Sequence, residues 1–186
     1  MLKSDCRQLM LSKRNALSDS DCIKLDDLIL IQFQRLDWSE VSCVGSFYPL
    51  ALKNEPNSLL LTKYLKAILP AVTIVYPKIN NDNSMHFVAE TNELVENKWS
   101  IPEPISTQII LPESVDVFLV PLLCFDLLGH RVGFGKGYYD HYFSKLSNFV
   151  HKIGISYFEP IPKIEDTNHF DVPLTKCITP WKIYEF

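Results

Sequence analysis

Four of the six glycines in this chain fall within nine residues, between Gly129 and Gly137. Glycine tolerates positive φ and lets a ligand approach the main chain closely, so this cluster predicts a place where bare backbone is needed. The apolar, β-branched run over residues 115–120 predicts a buried strand before the cluster, and residues 138–146 predict a helix after it. A glycine-rich loop that ends at a helix N-terminus presents unpaired N–H groups, which favours the binding of an anion.

Two charged residues make phosphate the favoured anion. Lys136 lies among the glycines, and Asp140 falls in the first turn of the predicted helix, where a carboxylate could hold a cation beside a phosphate. The P-loop motif is missed because positions 130 and 137 carry the wrong residues, and the spacing G-x-G-x-G differs from the dinucleotide motif G-x-G-x-x-G. The alternative is a tight hairpin in which the glycines serve turn geometry alone.

Length and charge narrow the class of protein. The 186 residues suffice for one domain with a substantial core, and 47% apolar with 22% charged residues is typical of a globular protein. Eighteen basic and 22 acidic residues leave a net charge of −4, which argues against a general nucleic-acid partner. Lys3 and Asp5 argue against a signal peptide, and no apolar run reaches membrane-spanning length. We expect a cytoplasmic monomer with no membrane partner and with reduced, scattered cysteines.

Strand and helix patterns alternate along the chain. The strand patterns cover residues 41–48, 72–76, 85–88, 115–120, 152–157 and 177–180. The helical patterns cover residues 3–17, 18 to about 36, 58–69 and 138–146. This alternation predicts a single α/β domain over residues 1–186, with a mostly parallel central sheet and helices on both faces. The site should lie outside the carboxyl ends of the strands.

The helical patterns also predict caps and buried faces. Ser18 should cap the second helix, and Asn57 or Ser58 should cap the third. The buried face of the first helix is predicted from Cys6, Leu9, Met10, Lys13 and Leu17. The core-facing residues of the second helix are predicted to include Ile23, Leu28 and Ile31.

The region around the glycines resembles a known family. Residues 120–126 (VPLLCFD) and 131–140 (RVGFGKGYYD) are similar to the signature of 5-formyltetrahydrofolate cyclo-ligase, also called methenyltetrahydrofolate synthetase. The resemblance covers nearly the whole chain, weakly through residues 60–95. Phe134 stands where members carry a basic residue, and Phe170 interrupts a His-Asp-Val segment before Asp171.

The resemblance implies an ATP- and Mg²⁺-dependent ligase. It would convert 5-formyltetrahydrofolate to 5,10-methenyltetrahydrofolate with release of ADP and phosphate, through phosphorylation of the formyl oxygen and ring closure by N10. This reaction needs positioning and charge neutralisation and no protein nucleophile. Two alternatives stay open: a sugar-phosphate isomerase or related phosphate-binding α/β enzyme, and a nucleotide-binding regulatory module without turnover.

The resemblance also assigns roles to individual residues, with Lys136 as the catalytic residue. The implied ATP-binding residues are Lys3, Arg7, Arg131, Gly133, Gly135, Lys136, Gly137, Tyr138 and Tyr139. The implied folate-binding residues are Leu50, Glu55, Trp99, Phe134, Lys136 and Tyr138, and the implied magnesium ligands are Asp140 and Asp171.

Each of these roles has a simpler structural alternative. Lys3 and Arg7 share a helical face, which is more commonly a solvated basic surface. Glu55 could complement the dipole of the third helix, and Trp99 could serve ordinary packing. Glu103 matches a glutamate of the family's Ile-x-Glu-Pro segment, to which no role is assigned.

Overall fold

In the computed structural model, which describes residues 1–80, 82, 84–97, 101–146 and 150–186, eight strands form one central sheet. The strands are β1 (Cys43–Gly45), β2 (Thr73–Ile79), β3 (Met85–Ala89), β4 (Leu94–Glu96), β5 (Pro102–Pro104), β6 (Ile109–Ile110), β7 (Val117–Pro121), β8 (Cys124–Phe125), β9 (Arg131–Val132), β10 (His151–Ile155), β11 (Lys176–Ile178) and β12 (Ile183–Glu185). The helices are α1 (Lys3–Asn15), α2 (Asp19–Phe33), α3 (Ser58–Ile68) and α4 (Tyr138–Phe143), with 3₁₀ turns at Ala51–Lys53 and Pro112–Ser114.

The sheet is parallel at its centre and antiparallel at its edges. Its strand order is β12-β11-β10-β7-β1-β2-β3-β6, and the strands from β11 to β2 run parallel. The antiparallel additions are β12 at one edge and β3 with β6 at the other. The chain leaves β1 toward β2 on one side and later returns to β7 on the other. The point between β1 and β7 is therefore the switch point, where open α/β sheets form their clefts.

Successive side chains of the central strands point to opposite faces of the sheet, and each face carries a hydrophobic core. Val117 and Leu119 of β7 face the first core, which α2 and α3 cover with residues such as Phe33 and Leu65. This arrangement places α2 and α3 on one face of the sheet.

The opposite face of the sheet carries the second core. Phe118 and Val120 of β7 point into it, and Tyr142 and Phe143 of α4 cover them. Helices therefore lie on both faces, and the predicted α/β class with a mostly parallel sheet is confirmed. Among the described residues, no helix has both the length and the apolar character needed to cross a bilayer.

The helix starts follow their predicted caps. Ser18 begins α2 with a capping box, in which its hydroxyl accepts from the Asp21 N–H at 3.2 Å and its own N–H donates to the Asp21 carboxylate at 3.2 Å. Asn57 caps α3, since its side chain accepts a hydrogen bond from the Leu60 N–H at 3.3 Å. Short-range capping signals thus fix where these helices begin.

The predicted inner face of α2 is wrong. Ile23, Leu28 and Ile31 are 62%, 38% and 53% exposed, while Ile29 and Phe33 are buried. The helix carries apolar residues on more than one side, so the sequence pattern alone does not choose which side packs on the sheet.

Helix α1 also differs from its predicted inner face. Cys6 and Met10 are buried as expected, but Leu9 is 38% exposed and the charged Arg14 is fully buried. The helix ends at Asn15, before Leu17. A buried arginine breaks the rule that charged residues lie outside, so it requires a partner in the tertiary structure.

A hairpin separates the predicted strand from the glycine-rich loop. Strands β8 and β9 pair antiparallel, and Gly129, with a φ of 83°, forms the turn between them. The turn-geometry alternative therefore holds for Gly129. The other three glycines follow β9 and lead into α4, which ends at Phe143 and so is shorter than predicted.

We expect Gly45→Ala to destabilise the fold, because β1 passes directly against an aromatic ring. A Cβ at this position would lie 2.3 Å from Cδ1 of Phe118 and 3.2 Å from Cε1 of Phe87. Overpacking of this kind costs about 1–3 kcal/mol of unfolding free energy. Gly133→Ala is the matched control, because no described atom lies within 4 Å of its added Cβ. Urea unfolding of both variants measures the difference, and wild-type stability in Gly45→Ala would contradict this packing.

Candidate active site

A cavity of about 550 Å³ opens at the carboxyl ends of β1, β2 and β7. Tyr48 follows β1, Ile79 ends β2 and Pro121 ends β7, and all three line the cavity. The predicted site residues that line it are Lys3, Arg7, Leu50, Glu55, Arg131, Gly133, Phe134, Gly135, Lys136, Gly137, Tyr138, Tyr139, Asp140 and Asp171. Trp99, the remaining predicted residue, lies outside the described residues. The fold thus brings segments from the start, middle and end of the chain to one cleft.

The glycine-rich loop is held against α1 by Arg7. The Arg7 Nε–H donates to the Gly133 carbonyl oxygen at 2.9 Å, and a Cβ on Gly135 would lie 3.2 Å from the guanidinium carbon. Gly135 and Gly137 have φ values of 90° and 71°, in the region that side chains other than glycine rarely adopt. The positive φ values therefore favour glycine at positions 135 and 137, and a Cβ at position 135 would in addition make the Arg7 side chain shift slightly.

Lys136 projects from the same loop and is exposed. Within the described part of the chain, no hydrogen bond or ion pair engages its ammonium group. An unpaired cation beside positive-φ glycines and the first turn of α4 is well suited to an incoming anion.

Lys3 and Asp171 form an ion pair at the edge of the cavity. The Lys3 Nζ lies 2.7 Å from Oδ1 and 2.6 Å from Oδ2 of Asp171, and the Asn168 N–H donates to Oδ2 at 2.7 Å. Burial raises the pKa of Asp171, but the Lys3 ammonium and the Asn168 N–H outweigh burial, so the pKa lies below its ordinary value. The lysine predicted for phosphate and the carboxylate predicted for metal thus neutralise each other in this structure.

Arg131 and Asp140 form a second ion pair. The Arg131 Nη2 donates to Oδ1 of Asp140 at 2.8 Å, and its Nη1 donates to the Val172 carbonyl oxygen. The Val172 N–H donates to the same Asp140 oxygen at 3.1 Å. Burial lowers the pKa of Arg131, and the charge of Asp140 raises it in part. These bonds fix the first turn of α4 to the segment that carries Asp171.

Asp140 and Asp171, the predicted magnesium ligands, both line the cavity, and carboxylate oxygens are ligands that magnesium prefers. Oδ2 of Asp140 accepts no hydrogen bond from the described residues, while Asp171 would first have to release Lys3. In the described part of the chain, no group of three or more His, Cys, Asp or Glu side chains forms a metal site. Magnesium commonly takes one or two carboxylates and completes its shell with phosphate oxygens and water, so two carboxylates suffice.

Glu55 lines this cavity and does not take the ordinary role of an acid in the first turn of a helix. It precedes the Asn57 cap, and the first turn of α3 contains no acidic residue. Its carboxylate is buried and accepts a hydrogen bond from the Leu50 N–H at 2.9 Å. Burial raises the pKa of Glu55, whereas the Leu50 N–H and the charge of Arg14 lower it in part. A buried carboxylate that lines a cavity is suited to paired N–H donors of a ligand.

Glu103 and Tyr48 also line the cavity, although the sequence predicted no role for either residue. Glu103 is buried, and its Oε1 accepts from the Ile79 N–H at 3.1 Å and from the Asn97 side-chain amide at 2.7 Å. Its match to the Ile-x-Glu-Pro segment was the signal available for it. Tyr48 stacks on Tyr76 with ring centroids 4.1 Å apart and gives the cavity an aromatic wall. In the sequence, Tyr48 is one tyrosine at the end of an apolar strand pattern, and nothing there indicates that it lines a site.

A cleft at the switch point of an α/β sheet, lined by a glycine-rich loop and by buried carboxylates, defines a small-molecule enzyme. Residues 1–180 match the model of the 5-formyltetrahydrofolate cyclo-ligase family, and the chain belongs to that family. The predicted ligase class is thereby confirmed, and the isomerase and regulatory alternatives are set aside.

Relatives and solved structures agree with this membership. The chain is 32% identical over 156 residues to 5-formyltetrahydrofolate cyclo-ligase of Mycoplasma genitalium, covering 83% of this chain and 84% of that protein. It is 35% identical over 104 residues to the Escherichia coli K12 enzyme of the same name, with 51% and 54% coverage.

Two solved structures share the fold. The 5,10-methenyltetrahydrofolate synthetase of Mycoplasma pneumoniae superposes with a TM-score of 0.77 at 30% identity, covering 96% of this chain and 98% of that one. The synthetase of Aquifex aeolicus superposes with a TM-score of 0.80 at 27% identity, covering 100% and 93%.

We expect the Lys3–Asp171 ion pair to stabilise the fold at neutral pH and to lose this effect as the pH falls. Because the pKa of Asp171 is lowered in the folded state, its contribution is complete above the unfolded value of about 4 and is lost as the pH falls through the folded value. The difference in unfolding free energy between wild type and Asp171→Asn should therefore be constant near pH 7 and shrink below about pH 4. Asp5→Asn, which removes an exposed carboxylate of α1, is the control. A difference that stays unchanged down to about pH 2 would contradict the pair.

Proposed function

We propose that this protein catalyses the ATP-dependent cyclisation of 5-formyltetrahydrofolate to 5,10-methenyltetrahydrofolate, with release of ADP and phosphate. The observation that carries the proposal is that one cavity joins Lys136, whose ammonium has no partner among the described residues, with the buried carboxylate of Glu55. Family membership supplies the reaction class. The cavity therefore offers one group suited to an anionic ligand and another suited to a ligand with N–H donors.

The chemistry divides into two displacements. The formyl oxygen attacks the γ-phosphorus of ATP, so that an O–P bond forms and the bond to the ADP oxygen breaks. N10 then attacks the formyl carbon, the N10–C bond forms, N10 loses its proton to solvent, and the C–O bond breaks so that phosphate leaves with the former formyl oxygen. Neither step requires a protein nucleophile, and the demand on the protein is alignment and charge stabilisation.

On the nucleotide side, the loop from Gly133 to Gly137 would hold phosphate oxygens with its N–H groups, and Lys136 would meet the charge that develops on the transferred group. Arg7 keeps the loop in place through the Gly133 carbonyl and adds its own charge. Lys3 would join after it releases Asp171. Arg131, which Asp140 holds in place, would also bind the nucleotide. Tyr138 and Tyr139 line the same cavity and would belong to the same binding surface.

Asp140 and Asp171 would hold magnesium. The ion would neutralise the negative charge on the phosphates while the nucleotide is bound. The protein contributes the orientation of Asp140, because the Arg131 guanidinium and the Val172 N–H fix one carboxylate oxygen, and the other accepts no hydrogen bond from the described residues.

On the folate side, Glu55 would accept hydrogen bonds from the pterin ring. Leu50, Phe134 and Tyr138 would cover the flat ring, as would Ile79 on the far wall. Trp99 stays a predicted folate-binding residue.

We still expect a cytoplasmic monomer without a nucleic-acid partner.

We expect Glu55→Gln to raise the KM for 5-formyltetrahydrofolate by tenfold or more and to leave the KM for ATP within about threefold. A charge-assisted hydrogen bond in a buried site contributes about 1.5–3 kcal/mol, and an amide cannot replace it. The absorbance of methenyltetrahydrofolate measures both constants. Glu40→Gln, at an exposed position, is the control. Unchanged folate kinetics in Glu55→Gln would return Glu55 to a structural role.

We expect Lys136→Ala and Asp140→Asn each to lower kcat by roughly 100-fold or more, the scale of losing a preorganised electrostatic contact. Asp140→Asn should also raise the magnesium concentration for half-maximal activity, whereas Lys136→Ala should not. Because Asp140 also pairs with Arg131, its variant should lose some stability, and the magnesium titration separates the two effects. Lys145→Ala removes an exposed lysine after α4 and serves as the control. Near-normal turnover in both variants would leave the loop with a role in turn geometry alone.

A further inference from the structure

Arg14 is a fully buried cation that lies behind the site. It is the largest side chain with less than 2% exposure among the described residues, and its own exposure is 0%. It lies on α1, the helix that also brings Lys3 and Arg7 to the cavity, but it is absent from the cavity lining. A guanidinium removed from water is costly unless its charge and its donors find partners, so its contacts are informative.

Its ionic partner is Glu55. The Arg14 Nη1 lies 3.9 Å from Oε1 of Glu55, with the two side chains 0% and 3% exposed, and the Arg14 Nη2 donates to the Leu122 carbonyl oxygen. Within the described residues, the Nε and Nη1 groups of Arg14 have no hydrogen-bond partner. At 3.9 Å the pair attracts through charge without a fixed hydrogen bond, so Oε1 of Glu55 stays available to another donor, while Oε2 accepts from the Leu50 N–H.

The same end of α1 also holds the backbone that carries Glu55. The Asn54 side chain donates to the Arg14 carbonyl oxygen at 2.8 Å and to the Leu17 carbonyl oxygen at 3.3 Å. Asn54 has a φ of 45°, in the left-handed region, and directly precedes Glu55. Helix α1 therefore restrains both the main chain and the side-chain charge at this point.

We propose that Arg14 is a positioning residue for the folate site: it keeps the Glu55 carboxylate charged and directed into the cavity without contacting the substrate itself. The proposal rests on the proposed function, in which Glu55 binds the pterin ring.

Other groups facing Glu55 do not supply a compensating charge. Tyr139 lines the same cavity, and Tyr157 donates to the Glu55 carbonyl oxygen at 3.5 Å. Lys53 lies on the same loop, is exposed and lines the cavity. Among the described residues, the cation in ion-pair distance of Glu55 is Arg14. Removal of Arg14 leaves a buried carboxylate whose pKa burial raises, so Glu55 should lose its charge at a higher pH.

The test is steady-state kinetics of Arg14→Met beside Lys13→Met, which removes the neighbouring exposed lysine of α1. We expect Arg14→Met to raise the folate KM about tenfold at pH 7, the scale of a charged contact, with the ATP KM changed less than about threefold. The acid limb of 1/KM for folate should move to higher pH, because the protonated Glu55 no longer binds. Arg14→Lys, which keeps the charge, should restore most of the affinity, and Lys13→Met should match wild type.

A double variant makes the test independent of folding. Arg14→Met with Glu55→Gln removes both charges of the pair, and its folate KM should equal that of Glu55→Gln alone. If Arg14→Met raises the folate KM by the same factor with and without Glu55→Gln, or raises the ATP KM equally, Arg14 does not act through Glu55 and the proposal is overturned. If Glu55→Gln itself leaves folate kinetics unchanged, the proposed function of Glu55 fails instead, which is a distinguishable result.

Discussion

The contact between α1 and the β8–β9 hairpin holds this site together. Cys6 and Met10 of the helix pack on Leu123, Cys124 and Val132 in a small core of their own. Ile161 and Ile164 belong to the same core, so the packing fixes the helix on two segments that are distant from it in sequence. Because an α-helix is rigid over this length, fixing its apolar side also fixes where its polar side chains reach.

Three of the four cations of α1 contact the site, at successive points along the helix. Lys3 pairs with Asp171, Arg7 holds the Gly133 carbonyl, and Arg14 reaches Glu55 and the Leu122 carbonyl. The helix thus connects the predicted metal, nucleotide and folate parts of the cavity.

Charge balance inside the cavity explains how so many ionic groups coexist. Asp140 and Asp171 each have a cationic partner, and Glu55 has Arg14, whereas Lys136 is left unpaired within the described residues. The net charge of −4 for the chain therefore says little about the site. Each carboxylate named here is balanced by a nearby cation, because a buried charge without a partner is costly.

The sequence by itself determined the features that depend on near neighbours. The caps at Ser18 and Asn57 follow local hydrogen-bonding rules, and the strand–helix alternation predicted the α/β class correctly. The glycines at 135 and 137 pointed to positive-φ backbone, which the structure has. The tertiary structure alone decided the contacts between distant residues: which side of α2 faces the sheet, the hairpin that uses Gly129, and the burial of Arg14 against Glu55. Periodicity reports a helix and its apolar residues, but packing chooses among its faces, and a charge is buried only where a distant partner compensates it.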